Sequence, residues 1–299
     1  MSTFSIKDLE HLSGIKAHTL RIWEQRYSLI SPKRTDTNIR YYDDKDLKLV
    51  LNVALLKENS FKISKIAEME ASDMQSEVLK LTEKSLKYPE QVHALTLSMI
   101  DMDEARFEKL ISTNILRLGF EKTMINIIYP FLSKIGILWQ TGAINPAQEH
   151  FISNLIRQKL IVAIDGQAIE VSSTAKKFIL YLPEGEMHEL SLLFSNYLIS
   201  SRGHKCIYLG QSLPFEDLKH VYEIHKADYI VSALTSVPGP AEIQPFVDRL
   251  ADAFPEAQVL LSGYQTIGQD LQCKSNVTLL TRNEQLLELL ESINHSIFD

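Results

Sequence analysis

Cysteine is scarce. The 299 residues hold two, Cys206 and Cys273. They form no C-x-x-C pair, so neither a disulfide framework nor a cysteine-built zinc cluster is expected. Long apolar runs are also lacking: none approaches the roughly 20 residues that a membrane-spanning helix needs. The opening MSTFSIKDLEHLSG carries charges where the apolar stretch of a secretory signal would lie, and a cytoplasmic protein is expected. The net charge is only −7, but it is unevenly placed. Residues 1–70 hold 12 Lys+Arg against 10 Asp+Glu, a balance of +2 that leaves −9 for the rest. A slightly basic head on an acidic body suits local anion binding by the head. The remainder is ordinary globular material, 45% hydrophobic and 23% charged, enough for two or three domains of about 100–200 residues each.

In the head, FSIKDLEHLSG reads as a short helix stopped at Gly14. IKAHTLRIWEQRYSL follows with helical spacing that puts Ile15, Leu20, Trp23 and Tyr27 on one face. Two helices joined by a short Gly-containing turn make a helix-turn-helix unit. Lys16, His18, Thr19 and Arg21 then fall near the start of the second helix, where a recognition helix meets base edges and phosphates. SPKRTDTNIRYYDD reads as a small hairpin, and Asp43 or Asp44 can cap the helix after it.

Residues 74–167 are helical in pattern, with helices expected over 76–87, 90–99, 103–118 and 121–140 and a fifth from Pro146. Asn145 and Gln148 stand where a capping box would close the start of that fifth helix. The segment predicts a helical bundle. Within it, Trp139 ends one helix while Glu149 and His150 open the next, which brings all three to one end.

From residue 173 the pattern alternates. KKFILYL, KCIYLG, DYIVSAL, QVLLSG and NVTLL read as strands. Helices are expected over 188–201, 214–225, 240–252 and 283–293, with a poor helical signal between Gly263 and Lys274. Five parallel strands with intervening helices predict a doubly wound, flavodoxin-like α/β sheet of order 2-1-3-4-5. Ligands bind such sheets at the strands' carboxyl ends. There stand Glu186 and His188 after the first strand, Ser232 and Leu234 on the third, and Ser262 and Gly263 after the fourth. A carboxylate beside a histidine is the usual way to orient a metal-ligating imidazole. One histidine does not make a protein-built zinc site, which takes three or four ligands; it suits a metal that arrives within a macrocycle. The plainer alternative is a surface histidine.

The string I-x-x-x-T-L-R-x-W-E-x-R-Y, then P-x-R-T and R-Y-Y, closely resembles the MerR family of winged-helix regulators over about residues 3–70. The resemblance implies that Lys16, His18, Thr19, Arg21 and Tyr27, with Arg34, Asn38, Arg40 and Tyr41 of the wing, face double-stranded DNA, and that the protein dimerises on it. PEGEMHELS, with S-A-L and S-G further on, resembles the cobalamin-binding domain of methionine synthase and its relatives, and the bundle before it resembles that domain's cap. By this resemblance His188 is the lower axial ligand to cobalt and Glu186 orients it. Ser191, Ser232, Leu234, Ser262 and Gly263 line the way for the cofactor's nucleotide tail. The three modules in this order, at 1–73, 74–172 and 173–299, resemble the CarH/LitR type of light-responsive repressors. Trp139, Glu149 and His150 match its cap motif, W-x9-E-H. The implied protein is not an enzyme: it is a photoreceptor and repressor that binds adenosylcobalamin, forms a tetramer in the dark and releases DNA in light. Three positions depart from the family pattern. Ser191 and Ser262 stand where the pattern has glycine, and Gln140 where light-responsive members can carry a histidine. A MerR-type regulator using the same scaffold for another ligand or a protein partner is the alternative reading.

Overall fold

The computed structural model describes residues 4–13, 15–34, 38, 40–84, 87–141, 144–167, 174–239, 241–267 and 269–295. Gly14, Thr35 and Ile39, on which parts of the head's reading fall, lie outside the described residues. The chain forms two compact units, Met1–Ile152 and Ser153–Asp299.

The first unit begins with α1 (Ile6–Ser13) and α2 (Ala17–Tyr27), the helix-turn-helix. Glu10 of α1 accepts the Ala17 amide at 3.0 Å and so satisfies one of the donors left open at the start of α2. The hairpin consists of β1 (Lys33–Arg34) and β2 (Arg40–Tyr41), paired antiparallel. In α3 (Asp44–Glu58) the cap is Asp43, whose carboxylate accepts the Lys45 and Asp46 amides while Asp46 bonds back to the Asp43 amide. A short α4 (Ile63–Ala67) and then α5 (Ala71–Lys84) follow. Leu9, Leu20, Trp23, Val53 and Leu56 form the head's core, and Met74 and Val78 of α5 are buried in it. The helix expected near 76–87 therefore adds side chains to the head's core as well as packing against α9 of the bundle. Its apolar spacing does not reveal which neighbour it covers.

The bundle holds α6 (Pro89–Ile100), α7 (Glu104–Leu118), α8 (Phe120–Thr123) and α9 (Tyr129–Thr141), with a π-helical turn at Met124–Ile128 between the last two. The helix expected over 121–140 is thus interrupted. At that turn the Tyr129 amide reaches back to the Met124 carbonyl; Pro130, next in line, has no amide to continue the ladder. α10 (Pro146–Asp165) opens with the expected box: Gln148 N donates to Asn145 Oδ1 at 3.0 Å and Asn145 N to Gln148 Oε1 at 3.1 Å.

In the second unit, β3 (Lys177–Pro183), β4 (Lys205–Leu213), β5 (Tyr229–Ala233), β6 (Gln258–Ser262) and β7 (Val277–Leu280) form one parallel sheet in the order β4-β3-β5-β6-β7. This is the doubly wound order that the sequence predicts. The helices are α11 (Leu190–Ser200), α12 (Phe215–His225), α13 (Ile243–Ala253) and α14 (Asn283–His295). Central strands buried on both faces need continuous apolar runs, and Phe178–Leu182 are all at most 1% exposed. Between Gly263 and Lys274 the described residues hold only a short 3-10 turn, Tyr264–Thr266. β4 runs further than KCIYLG predicts, through a register shift against β3 and the positive φ of Gly210 (76°). Among the described residues no helix is long and apolar enough to cross a membrane.

Candidate functional site

The carboxyl ends of β3, β5 and β6 meet at one rim of the sheet. After Pro183 the chain turns through Gly185, whose φ of 84° is in the left-handed region that favours glycine. The turn is pinned from β4: the Gly185 amide donates to Ser212 Oγ at 3.1 Å, and Gln211 Nε2 donates to the Met187 carbonyl at 2.7 Å. It buries Glu186 completely and leaves the His188 side chain 61% exposed.

Glu186 Oε1 accepts the Met187 and His188 amides, each at 3.0 Å, and lies 2.6 Å from His188 Nδ1. Oε2 accepts the Thr235, Ser236 and Val237 amides at 2.9, 2.6 and 3.1 Å, and Ser236 Oγ at 3.1 Å. Burial alone would raise this carboxyl's pKa. The bonds from His188 and from the Ser236, His188 and Val237 amides outweigh it and hold Glu186 well below the usual carboxylate range. An ionised carboxylate only accepts, so the proton between the two side chains sits on His188 Nδ1. In the neutral imidazole the lone pair is then on Nε2, the tautomer in which an imidazole ligates a metal.

Ser232 and Leu234 are completely buried. Among the described residues neither the Ser232 hydroxyl nor that of Tyr181, its register partner on β3, makes a well-formed hydrogen bond, and Ser232 lies near enough to ease the rise that burial imposes on the Tyr181 phenol's pKa. The two hydroxyls share the same face of adjacent strands, where a poorly paired buried hydroxyl costs about 1–3 kcal/mol. Gly263 has φ 104°, and a β-carbon there would lie 2.5 Å from the Leu234 carbonyl oxygen. Ser262 has no such demand: it ends β6 without a positive φ, and its Oγ lies 3.4 Å from the Ser232 carbonyl. Ser191 is half-buried in the first turn of α11, where its carbonyl accepts Ser195 Oγ at 3.0 Å.

In the first unit Trp139 is 46% exposed near the end of α9. Glu149 and His150 share the first turns of α10, with Glu149 Oε2 3.2 Å from His150 Nδ1. The Gln140 side chain lies outside the described residues. On the head, Lys16, His18 and Arg21 are exposed along the start of α2, and Thr19, half-buried, has Oγ1 3.3 Å from His18 Nε2. Arg34, Asn38 and Arg40 are exposed on the hairpin. Arg34 donates to Asn38 Oδ1 at 2.6 Å, and Arg40 lies 3.8 Å from Glu24 of α2. Tyr41 is half-buried, and Tyr27 packs against the head's core, apart from the exposed group.

Sequence reasoning missed the loop Thr235–Val237, which supplies three amides and a hydroxyl to Glu186. Backbone donors leave no mark in a sequence. It also missed Tyr181, because a tyrosine inside an apolar strand reads as core.

Residues 4–73 match the MerR HTH family regulatory protein model, and residues 91–163 match the B12 binding domain model. The class is thereby defined: a MerR-type helix-turn-helix module joined to a B12 binding domain. More particularly, the chain resembles CarH-type regulators along most of its length. The chain is similar to the HTH-type transcriptional repressor CarH of Myxococcus xanthus, 24% identical over 259 residues, which cover 85% of this chain and 86% of the relative. It is also similar to the HTH-type transcriptional repressor CarA of that organism, 24% identical over 266 residues, covering 87% and 86%. A solved structure, the monomethylamine corrinoid protein of Methanosarcina barkeri, shares the fold. Its TM-score is 0.56 at 12% identity, covering 69% of this chain and 99% of that one.

The residues present fit a corrinoid. One imidazole has its tautomer set by a fixed anion, two poorly paired hydroxyls lie side by side on adjacent strands, and a glycine lets two strand exits close together. Among the described residues no group of three or more His, Cys, Asp or Glu side chains could hold a metal ion.

Proposed function

We propose that the protein is a cytoplasmic DNA-binding repressor governed by bound adenosylcobalamin, with His188 as the lower axial ligand to cobalt. The observation that carries this reading is the Glu186–His188 pair. A carboxylate held by five backbone amides has, among the described residues, the histidine beside it as its side-chain ion-pair partner, and it dictates that histidine's tautomer. The buried hydroxyls of Ser232 and Tyr181, with the close packing at Gly263, provide for the nucleotide tail. Trp139, Glu149 and His150 are assigned to the upper ligand by their match to the cap motif. Bound adenosylcobalamin would supply a cobalt–carbon bond that light cleaves. The chain's own residues act as a switch and not as a catalyst. Lys16, His18, Thr19, Arg21 and Tyr27 at α2 meet the operator with Arg34, Asn38, Arg40 and Tyr41 of the wing. The repressor binds as a dimer or a cofactor-dependent tetramer. Cobalamin shifts that assembly only to the extent that it binds the assembled state better than the free chain.

Size-exclusion chromatography with full visible spectra tests this, on protein mixed with adenosylcobalamin in the dark and then illuminated. The expected result is a cobalt spectrum that co-elutes with a larger dark species and a smaller species after light. His188→Ala should remove the histidine-ligated spectrum. A spectrum unchanged by that substitution would end the axial-ligand assignment, and elution without cobalt would end the cobalamin reading.

A further inference from the structure

The residue after His188 has an arrangement of its own. Glu189 is the N-cap of α11, yet its side chain makes no capping bond. A carboxylate at that position ordinarily turns toward the open amides of the first helical turn. This one is 6% exposed and turns the other way. Its Oε1 accepts from Arg157 Nε of α10, and its Oε2 accepts from the Tyr208 hydroxyl of β4 at 2.9 Å. Tyr208 stands just before the register shift that carries β4 past Gly210. Burial and the Glu189 charge push the phenol's pKa up, so it remains a donor. A carboxylate this deeply buried is tolerated only with its oxygens served, and here each oxygen has one donor from a different element.

His188 therefore sits between two anchored carboxylates. Glu186 is tied to the loop after β5, and Glu189 is tied to α10 and β4. The geometry points to Arg157 and Tyr208 as positioning residues that act through Glu189 to fix the height and tilt of the His188 imidazole at the sheet's rim. This rests on the cobalamin reading for its consequence but not for its geometry.

The test uses Arg157→Met and Tyr208→Phe in the full-length protein, each checked for an unchanged melting profile. Two readouts are taken. The first is cobalamin affinity with the visible spectrum of the bound state. Loss of a partner one shell out from a metal ligand typically costs 10–100-fold in affinity, so Arg157→Met should weaken binding by about that factor and shift the spectrum away from histidine ligation. The second is hydrogen exchange of the His188 amide in cofactor-free protein, which should quicken about tenfold or more in Arg157→Met and less in Tyr208→Phe. Should Arg157→Met melt early, Tyr208→Phe alone decides, since it removes one hydroxyl and leaves the ring. Wild-type protein that binds no cobalamin would refute the cobalamin reading, and amide exchange would still judge the positioning claim. Variants with wild-type exchange at His188 would overturn that claim, and so would wild-type affinity and spectrum in a protein that binds.

Discussion

A β-carbon on Gly263 would stand 2.5 Å from the Leu234 carbonyl oxygen and 2.7 Å from the Leu234 nitrogen. Both are backbone atoms, and both are held: the Leu234 amide donates to the Ser262 carbonyl at 2.7 Å, and the Leu234 carbonyl accepts the Gln265 amide at 2.9 Å. Neither can swing aside as a flexible side chain would. Added to that is the φ of 104°, which side-chain-bearing residues rarely adopt. Overpacking and backbone strain each cost about 1–3 kcal/mol, so Gly263→Ala should destabilise the second unit by roughly 2–5 kcal/mol in urea unfolding. Ser262→Gly meets neither condition and should change stability by under about 1 kcal/mol, the ordinary glycine penalty in a strand. Equal losses from the two substitutions would show that the pair acts as one flexible hinge. The comparison also separates what a sequence discloses from what it hides. That a glycine belongs at this strand exit is readable from the motif. That the first position tolerates serine and the second tolerates nothing follows only from the path of the Leu234 backbone.

Elements were legible where their burial pattern is simple. The five strands are short apolar runs bounded by turn residues, and alternation with helices leaves few sheet orders open; the rim carrying Glu186, His188, Ser232 and Gly263 follows from that order. Elements whose role depends on a neighbour were not legible. α5 covers the head because Met74 and Val78 fill its core, and the same apolar spacing would serve a bundle equally well. The Arg157–Glu189 pair joins residues far apart in sequence, and a charged residue on a helix gives no sign of its partner. Most consequential is α9. Its Ile137 packs against the core built from Leu20, Trp23 and Val53, and Trp139 lies two residues on. The helix that presents Trp139 thus packs on the α3 and α5 side of the head's core. Truncating a partly buried isoleucine costs somewhat less than the 2–5 kcal/mol of a core site. Ile137→Ala should therefore lower the stability of the first unit by about 1–3 kcal/mol and weaken operator binding, with every exposed residue of α2 and the wing intact. Operator affinity that stays at the wild-type value in a measurably destabilised variant would show that α9 props the head without influencing it.

At the scale of the whole molecule, two charge distributions oppose each other. The head carries +2 and the remainder −9, so DNA attraction depends on a few local cations and not on the net field. Each phosphate neutralised releases condensed counterions and adds about 0.9 to the slope of log affinity against log salt. If Arg40 makes one such contact, Arg40→Ala should weaken all operators alike and reduce that slope by about one. A ligand bound to the same chain acts differently. It changes operator affinity by some factor, and thermodynamic linkage requires the operator to change cobalamin affinity by the same factor. Coupling of this kind is typically 5–150-fold. Fluorescence anisotropy of a labelled operator, with and without adenosylcobalamin in the dark, gives one factor, and cobalamin titration with and without operator gives the other. Both should exceed about fivefold and agree, and Arg40→Ala should leave the ratio untouched while it lowers every DNA affinity. Agreement near unity would mean that the chain holds cobalamin without using it to govern DNA. A ratio that collapses in Arg40→Ala would mean that the wing takes part in transmitting the signal as well as in gripping phosphate.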